Sequence, residues 1–316
     1  MTGRKTKGGW AMTRRDLLKY SGLGVASLTG AAQAVFADRP RPKAKLSFGI
    51  VADAHYADRS KGGSRYYRES LAKMDECVSL MNEKKVDFLV ELGDFKDQGR
   101  PAKAESTIEY LRAIEKAFGR FKGSRYHALG NHDADSISKE QFLANVENTR
   151  IPRDSKYYSF DAKGLHFVVL DANYRADGKD YDSGNFNWTD ANVPQAELDW
   201  LERDLGAGTS PAIAFVHQQL DGKGGHTVKN AAQVRKALTG SGRVLAVFQG
   251  HNHAGGYRLM EGIHYYTLKA MIEGSGERNN SYAVVEVAEN LDISVTGYRK
   301  AVSKSLLKGS PASRPA

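Results

Sequence analysis

The chain has 316 residues, 41% hydrophobic and 26% charged, which excludes a disordered polymer and fits one large α/β domain or two small ones. Its net charge of +9 sits at the ends: residues 1–37 hold six Lys/Arg and one Asp, residues 300–316 hold four basic residues and no acid, and the stretch between has 36 of each sign, so no nucleic-acid footprint is visible. The single cysteine, Cys77, excludes an intramolecular disulfide and a Cys-based zinc site, and its helical spacing with Leu71, Met74, Val78 and Met81 reads as a small packed hydrophobe.

The first element in chain order is an address. Thr13-Arg14-Arg15-Asp16-Leu17-Leu18-Lys19 precedes a weakly apolar run from Ser21 to Phe36, closed by small residues such as Ala32-Gln33-Ala34. The pair Arg14-Arg15 makes residues 1–37 resemble a twin-arginine signal, with Leu17 where that signal often has Phe. The resemblance implies a partner, the twin-arginine export machinery, and a periplasmic or secreted location. The run is short and broken by Gly22, Gly24 and Gly30, so a membrane anchor fits less well and no stable span is expected after signal removal.

Residues 38–45 read as a Pro- and Lys/Arg-rich linker. Apolar runs then predict strands at 46–52, 87–92, 125–129, 165–170, 212–216 and 244–248, and helical spacing predicts helices at 66–84, 102–118, 139–148, 194–205 and 228–238. Three further strands, at 264–268, 282–287 and 291–298, follow without helices and read as an antiparallel meander. The alternation argues for an α/β layered fold over residues 46–300. Residues 301–316 read as a basic, disordered tail.

Five short motifs each stand just after an apolar strand: Asp53-Ala54-His55, Gly93-Asp94, Gly130-Asn131-His132-Asp133, His217, and Gly250-His251-Asn252-His253. In open α/β sheets, sites form beyond the carboxyl ends of strands, where all five would meet. If the chain there is extended, alternation turns Asp53 and His55 to one side, and likewise His251 and His253. A carboxylate and imidazole mixture suits Mn, Fe or Zn, and two such ions clamp a phosphate and activate a water. A shared carboxylate such as Asp94 would keep the ions close. Singly, each motif is weak: Gly-Asp after a strand is common, and a lone His217 is usually a packing residue.

In this order the motifs resemble the calcineurin-like metallophosphoesterases, over residues 46 to about 270. The resemblance implies an α/β fold, an αββα sandwich of two mixed sheets flanked by helices, with metals at its upper edge. By matching motif, one divalent ion is expected on Asp53, His55, Asp94 and His253, and the other on Asp94, Asn131, His217 and His251, with manganese favoured. His132 is then the non-ligand histidine that meets the substrate phosphate and protonates the leaving group, and Asp133 the carboxylate that orients it. Phe48–Asp53, Tyr56-Ala57-Asp58, Arg65–Leu71, Leu198–Leu201 and Gly250–Tyr257 look more narrowly like the manganese-dependent ADP-ribose/CDP-alcohol diphosphatases, which carry Gln where His55 stands. The implied activity is hydrolysis of a phosphodiester or pyrophosphate bond in a small phosphorylated substrate. A phosphomonoesterase is the second reading. A non-catalytic metal- or phosphate-binding protein is a third, and the complete motif set speaks against it.

Outside the motifs, Arg65, Tyr66, Tyr67 and Arg68 would either line a substrate pocket or form a solvated first turn. The polar loop 177–192, with Phe186 and Trp188, sits where substrate loops tend to lie, and His226 and Lys269 are more distant candidates.

Overall fold

Alternation sorts the side chains of β1 (Ala44–Val51): Phe48 and Ile50 enter one core and Val51 the opposite one, so the strand is buried on both faces. In this computed structural model, which describes Met1 and residues 43–309, β1 lies inside a six-stranded sheet. Its order is β12 (Lys304–Leu306), β11 (Ile293–Arg299), β10 (Ser281–Ala288), β1, β2 (Phe88–Glu91), β3 (Ser124–His127). β1, β2 and β3 run parallel, and β10 to β12 are antiparallel additions. A second six-stranded sheet has the order β4 (Tyr158–Ala162), β5 (Leu165–Val169), β6 (Ala212–Val216), β7 (Val244–Gln249), β9 (Ile263–Thr267), β8 (Gly256–Met260), with β5, β6, β7 and β9 parallel.

The sheets share a core centred on Phe48, which stacks on Phe88 at 5.0 Å and meets Phe167, Phe215 and Phe248 edge-on. Helices α1 (Ser70–Lys84) and α2 (Ala104–Phe118) cover the outer face of the first sheet through Met74, Met81, Leu111 and Phe118. The short α3 (Lys139–Leu143) adds Phe142 to that layer. Helices α4 (Gln195–Gly206) and α5 (Ala231–Gly240) cover the second sheet through Leu198, Leu201, Val234 and Leu238. This is the αββα sandwich expected.

The structure departs from the sequence reading in several places. The stretch 301–309 is not a disordered tail: β12 pairs with β11, and Leu306 is buried in the central core. β1 begins at Ala44, inside the expected linker. The terminal strands do not form one meander, because β9 joins the second sheet while β10 and β11 join the first. Among the described residues, no helix is long and apolar enough to cross a membrane. The expected signal, residues 1–37, lies outside the described residues apart from Met1.

Candidate metal centre

Each predicted motif begins where its strand ends: Asp53 after β1, Asp94 after β2, Asn131 after β3, His217 after β6, and His251 and His253 after β7. Parallel strands bring these ends to one edge, so both sheets contribute. The local backbone is not extended there. Asp53, His55, Asp94 and His251 have φ of 54°, 44°, 56° and 64°, a left-handed conformation uncommon for residues with a Cβ. Side chains therefore do not alternate there as expected: Asp53 and His55 meet through turns, and His251 and His253 go to different clusters. Gly130 is required by close approach, since a Cβ there would lie 2.0 Å from the Asp94 amide nitrogen.

Asp53, His55 and His253 offer ligand atoms within 4.8 Å of one another, and Asp94, His217 and His251 do the same. In the first group His55 Nε2 lies 3.3 Å from His253 Nε2, and Asp53 Oδ1 lies 3.5 Å from His253 Nε2. Asp94 Oδ2 stands between the groups, 3.2 Å from His217 Nε2 and 3.4 Å from His55 Nε2. Outer partners fix the rings. His217 Nδ1 donates to the Leu92 carbonyl at 2.8 Å, and His253 Nδ1 meets Glu273 Oε1 at 2.6 Å, which leaves both Nε2 atoms turned to the centre.

The donor set fits divalent cations. Asp53 Oδ2, Asn131 Oδ1, His217 Nε2 and His251 Nε2 are buried with no hydrogen-bond partner. Buried polar atoms left unpaired are costly, and these four belong to the two ligand groups and the adjoining Asn131, a donor set that a divalent cation would satisfy. Burial, with the neighbouring histidine charges, drives the His55 pKa down to about 4 and that of His251 well below its usual value, the neutral form a metal requires, whereas at His217 burial is outweighed by Asp94 and the pKa rises to about 9. Burial opposes ionisation of Asp94, but His217, His132 and His55 outweigh it and hold the carboxylate charged.

His132 belongs to neither of these two groups; it forms a third with Asp97 and His55, overlapping the first. Its Nδ1 faces Asp97 Oδ2 at 3.5 Å and Asp135 Oδ2 at 3.9 Å. Asp133 does not orient it. The Asp133 carboxylate accepts the backbone N–H groups of Gly130, Asp94 and Phe95 at 2.8, 3.0 and 3.0 Å, with Lys96 N at 3.4 Å, and so ties the second and third motif loops together. The carboxylates facing the His132 ring are Asp97 and Asp135, which the sequence reading missed. Asp97 stands three residues after Asp94 in the same loop, the one signal that pointed to it. The same Oδ2 is 3.5 Å from His55 Nδ1. Buried Lys96 holds the His132 carbonyl at 2.6 Å and pairs with Asp135.

A cleft of about 280 Å³ opens over the ligands, walled by Arg65, His132, Trp188 and His226. The Trp188 and His226 rings are 5.1 Å apart, and His226 is 5.1 Å from His251. Of the other candidates, Tyr67 is buried beneath Arg59, Arg68 pairs with Asp58, and Lys269 lines a different cavity.

The manganese-dependent ADP-ribose/CDP-alcohol diphosphatase of Oryza sativa subsp. japonica is 27% identical over 282 residues, 72% of this chain and 84% of its own length. The human protein of that name is 25% identical over 300 residues, covering 75% and 87%. A dimetal phosphatase from Danio rerio shares the fold with a TM-score of 0.74 at 20% identity, over 84% of this chain and 100% of that one. The sequence profile of the calcineurin-like phosphoesterases matches residues 46–255. Two converging ligand clusters at the strand ends of a two-sheet sandwich, matched over that span, make this chain a member of the calcineurin-like phosphoesterase family, a hydrolase of phosphate ester or anhydride bonds that works with two divalent metal ions.

Proposed function

We propose that the chain hydrolyses the pyrophosphate bond of a small nucleotide-diphosphate-type substrate, such as ADP-ribose or a CDP-alcohol, with manganese as its metal. The observation that carries this reading is the cleft itself, where a cation (Arg65) and an aromatic face (Trp188) flank the two ligand clusters. A guanidinium pairs with a phosphate and an indole stacks on a nucleobase. The relatives' names supply the substrate class and the metal.

One ion would sit on Asp53, His55, Asp94 and His253, and the other on Asp94, Asn131, His217 and His251. When bound, the ions supply a water acidified for attack and cationic stabilisation of the phosphate oxygens. The chain does the rest. Asp97 and Asp135 face the His132 ring on its Nδ1 side at 3.5 and 3.9 Å and favour its protonated form, with Nε2 assigned to protonate the departing oxygen. Glu273 and the Leu92 carbonyl hold His253 and His217 in register.

A panel of ADP-ribose, CDP-choline, bis-p-nitrophenyl phosphate and p-nitrophenyl phosphate, each with added Mn, tests the reading. The two pyrophosphates are expected to be turned over with the highest kcat/KM. Preference for p-nitrophenyl phosphate would replace the proposal with a phosphomonoesterase. Export is proposed from sequence alone, on Arg14-Arg15 and the apolar run after them. The double change Arg14→Lys with Arg15→Lys is expected to leave the protein in the cytoplasm, and periplasmic arrival of that variant would end the proposal.

A further inference from the structure

A second cleft, of about 480 Å³, opens between the segment following the first motif and the start of α2. Five of its eleven lining residues are cations, Arg59, Lys61, Arg68, Arg100 and Lys103, and Asp58 is its one acid. That concentration departs from a chain whose middle carries equal numbers of both signs. Local pairing does not neutralise it. Arg68 is matched by Asp58, but Arg100 and Lys103 have no ion-pair partner among the described residues. Like charges in excess of the acids beside them, Asp58 and Asp97, repel one another and raise the local potential, so an anion is the ligand that lowers their energy.

Two further features favour an anion. Lys103 is the N-cap of the fifteen-residue α2 and makes no side-chain cap hydrogen bond, and Lys103 and Ser106 line the cleft, so the positive end of the helix lies at its rim. The back wall is built. Arg59 stacks on the Tyr67 ring with its guanidinium carbon 4.1 Å from the centroid and donates to the Gln98 carbonyl at 3.2 Å. It also stands 3.5 Å from Asp97 Oδ1, on the residue whose other oxygen faces His55 and His132. The segment 58–68 contributes to both clefts, Asp58–Gly62 and Arg68 to the cationic one and Arg65 to the metal one.

We infer that this cleft is a second anion site, which takes a phosphate group outside the metal centre. The group is either the remote phosphate of a substrate whose scissile bond lies at the metals, or a free phosphate. The inference does not depend on the nucleotide-diphosphate reading, because it concerns residues away from the ligand clusters.

The test uses the manganese-loaded enzyme and the double variant Arg100→Ala with Lys103→Ala, two exposed residues outside the metal centre. Equilibrium dialysis with radiolabelled inorganic phosphate is expected to give two sites per wild-type chain. The variant is expected to keep the metal-centre site and to bind at the second about tenfold or more weakly, with the difference shrinking as salt rises. kcat/KM for bis-p-nitrophenyl phosphate, which has no second phosphate, serves as the reference and is expected to be unchanged. A parallel rise in KM for an ADP-ribose derivative bearing an extra 2′-phosphate identifies the remote phosphate as the occupant. Loss of the second site with KM unchanged identifies free phosphate. Equal phosphate stoichiometry and equal KM in wild type and variant would overturn the inference.

Discussion

Replacing Asp133 by Asn keeps the shape and removes one acceptor oxygen, and the structure fixes what that costs. Asp133 Oδ2 serves the N–H groups of Asp94 and Gly130, and Oδ1 serves those of Phe95 and Lys96. Whichever way the amide turns, its NH₂ faces two backbone donors in a wholly buried place. Each buried donor left unmatched costs about 1–3 kcal/mol, so Asp133→Asn should lose about 2–6 kcal/mol. For a domain of this size that lowers Tm by roughly 4–24 °C, at about 2–4 °C per kcal/mol. Asp97→Asn is the contrast. Its buried carboxylate faces His55 and His132 at 3.5 Å through one oxygen and Arg59 through the other, and it accepts only one backbone N–H, so it should lower Tm less than Asp133→Asn and cut turnover by about 10–100-fold, the usual cost of losing a group that orients an imidazole. Calorimetry, kcat and bound metal are measured on both variants. A thermally normal Asp133→Asn enzyme that is slow only on poor leaving groups would refute the assignment and return the orienting role to Asp133.

His132→Ala should keep its metals and lose about 10²–10⁴-fold in rate. The loss should be steepest for alkyl leaving groups and smaller for p-nitrophenolate, as measured by a leaving-group series. His166, hydrogen-bonded to Asp204 of α4 at 2.7 Å and to Asp161 of β4 at 2.8 Å, has its pKa raised, first by Asp204. A raised histidine stabilises the fold fully below its ordinary value of 6.5 and loses that contribution as pH climbs through the folded-state pKa. Urea unfolding at pH 6 and pH 9 should therefore show a smaller drop in His166→Gln than in wild type. Leu306→Ala should cost about 2–5 kcal/mol in the same assay, because the side chain fills the central core rather than a loose tail.

The candidate site was legible because each motif is local: a run of apolar residues announces the strand, and the acid or histidine follows at its end. Convergence then came from the parallel β1–β2–β3 and β6–β7 arrangements, which the strand–helix alternation implied. What was not legible depends on contacts between distant segments. Asp133 and Asp97 both lie near His132 in sequence or motif order, and only the fold shows which carboxylate turns to the ring and which to the backbone. The left-handed Asp53 and His55 have no glycine beside them to announce the turn. β8 has three exposed residues of five and no clean alternation, and β12 is three residues long, so neither gives a period to detect. The polar start of the first expected helix became a 3₁₀ turn at Tyr67–Glu69, with the α-helix beginning at Ser70.

The pairing of β1 sets an order of assembly. One edge of this strand meets β2, soon after it in sequence, but the other is closed only by β10 at residues 281–288. While the chain is being made, β1 therefore keeps a row of unpaired backbone groups, beside an apolar face, until nearly the whole protein has emerged. Pairing across so long a separation is slow, because the connecting loop must be closed before the contact repays it. A nascent chain stopped after the last metal ligand, His253, would hold every coordinating side chain and still lack the strand that seals its first sheet. Such a fragment would expose an edge suited to joining another copy of itself.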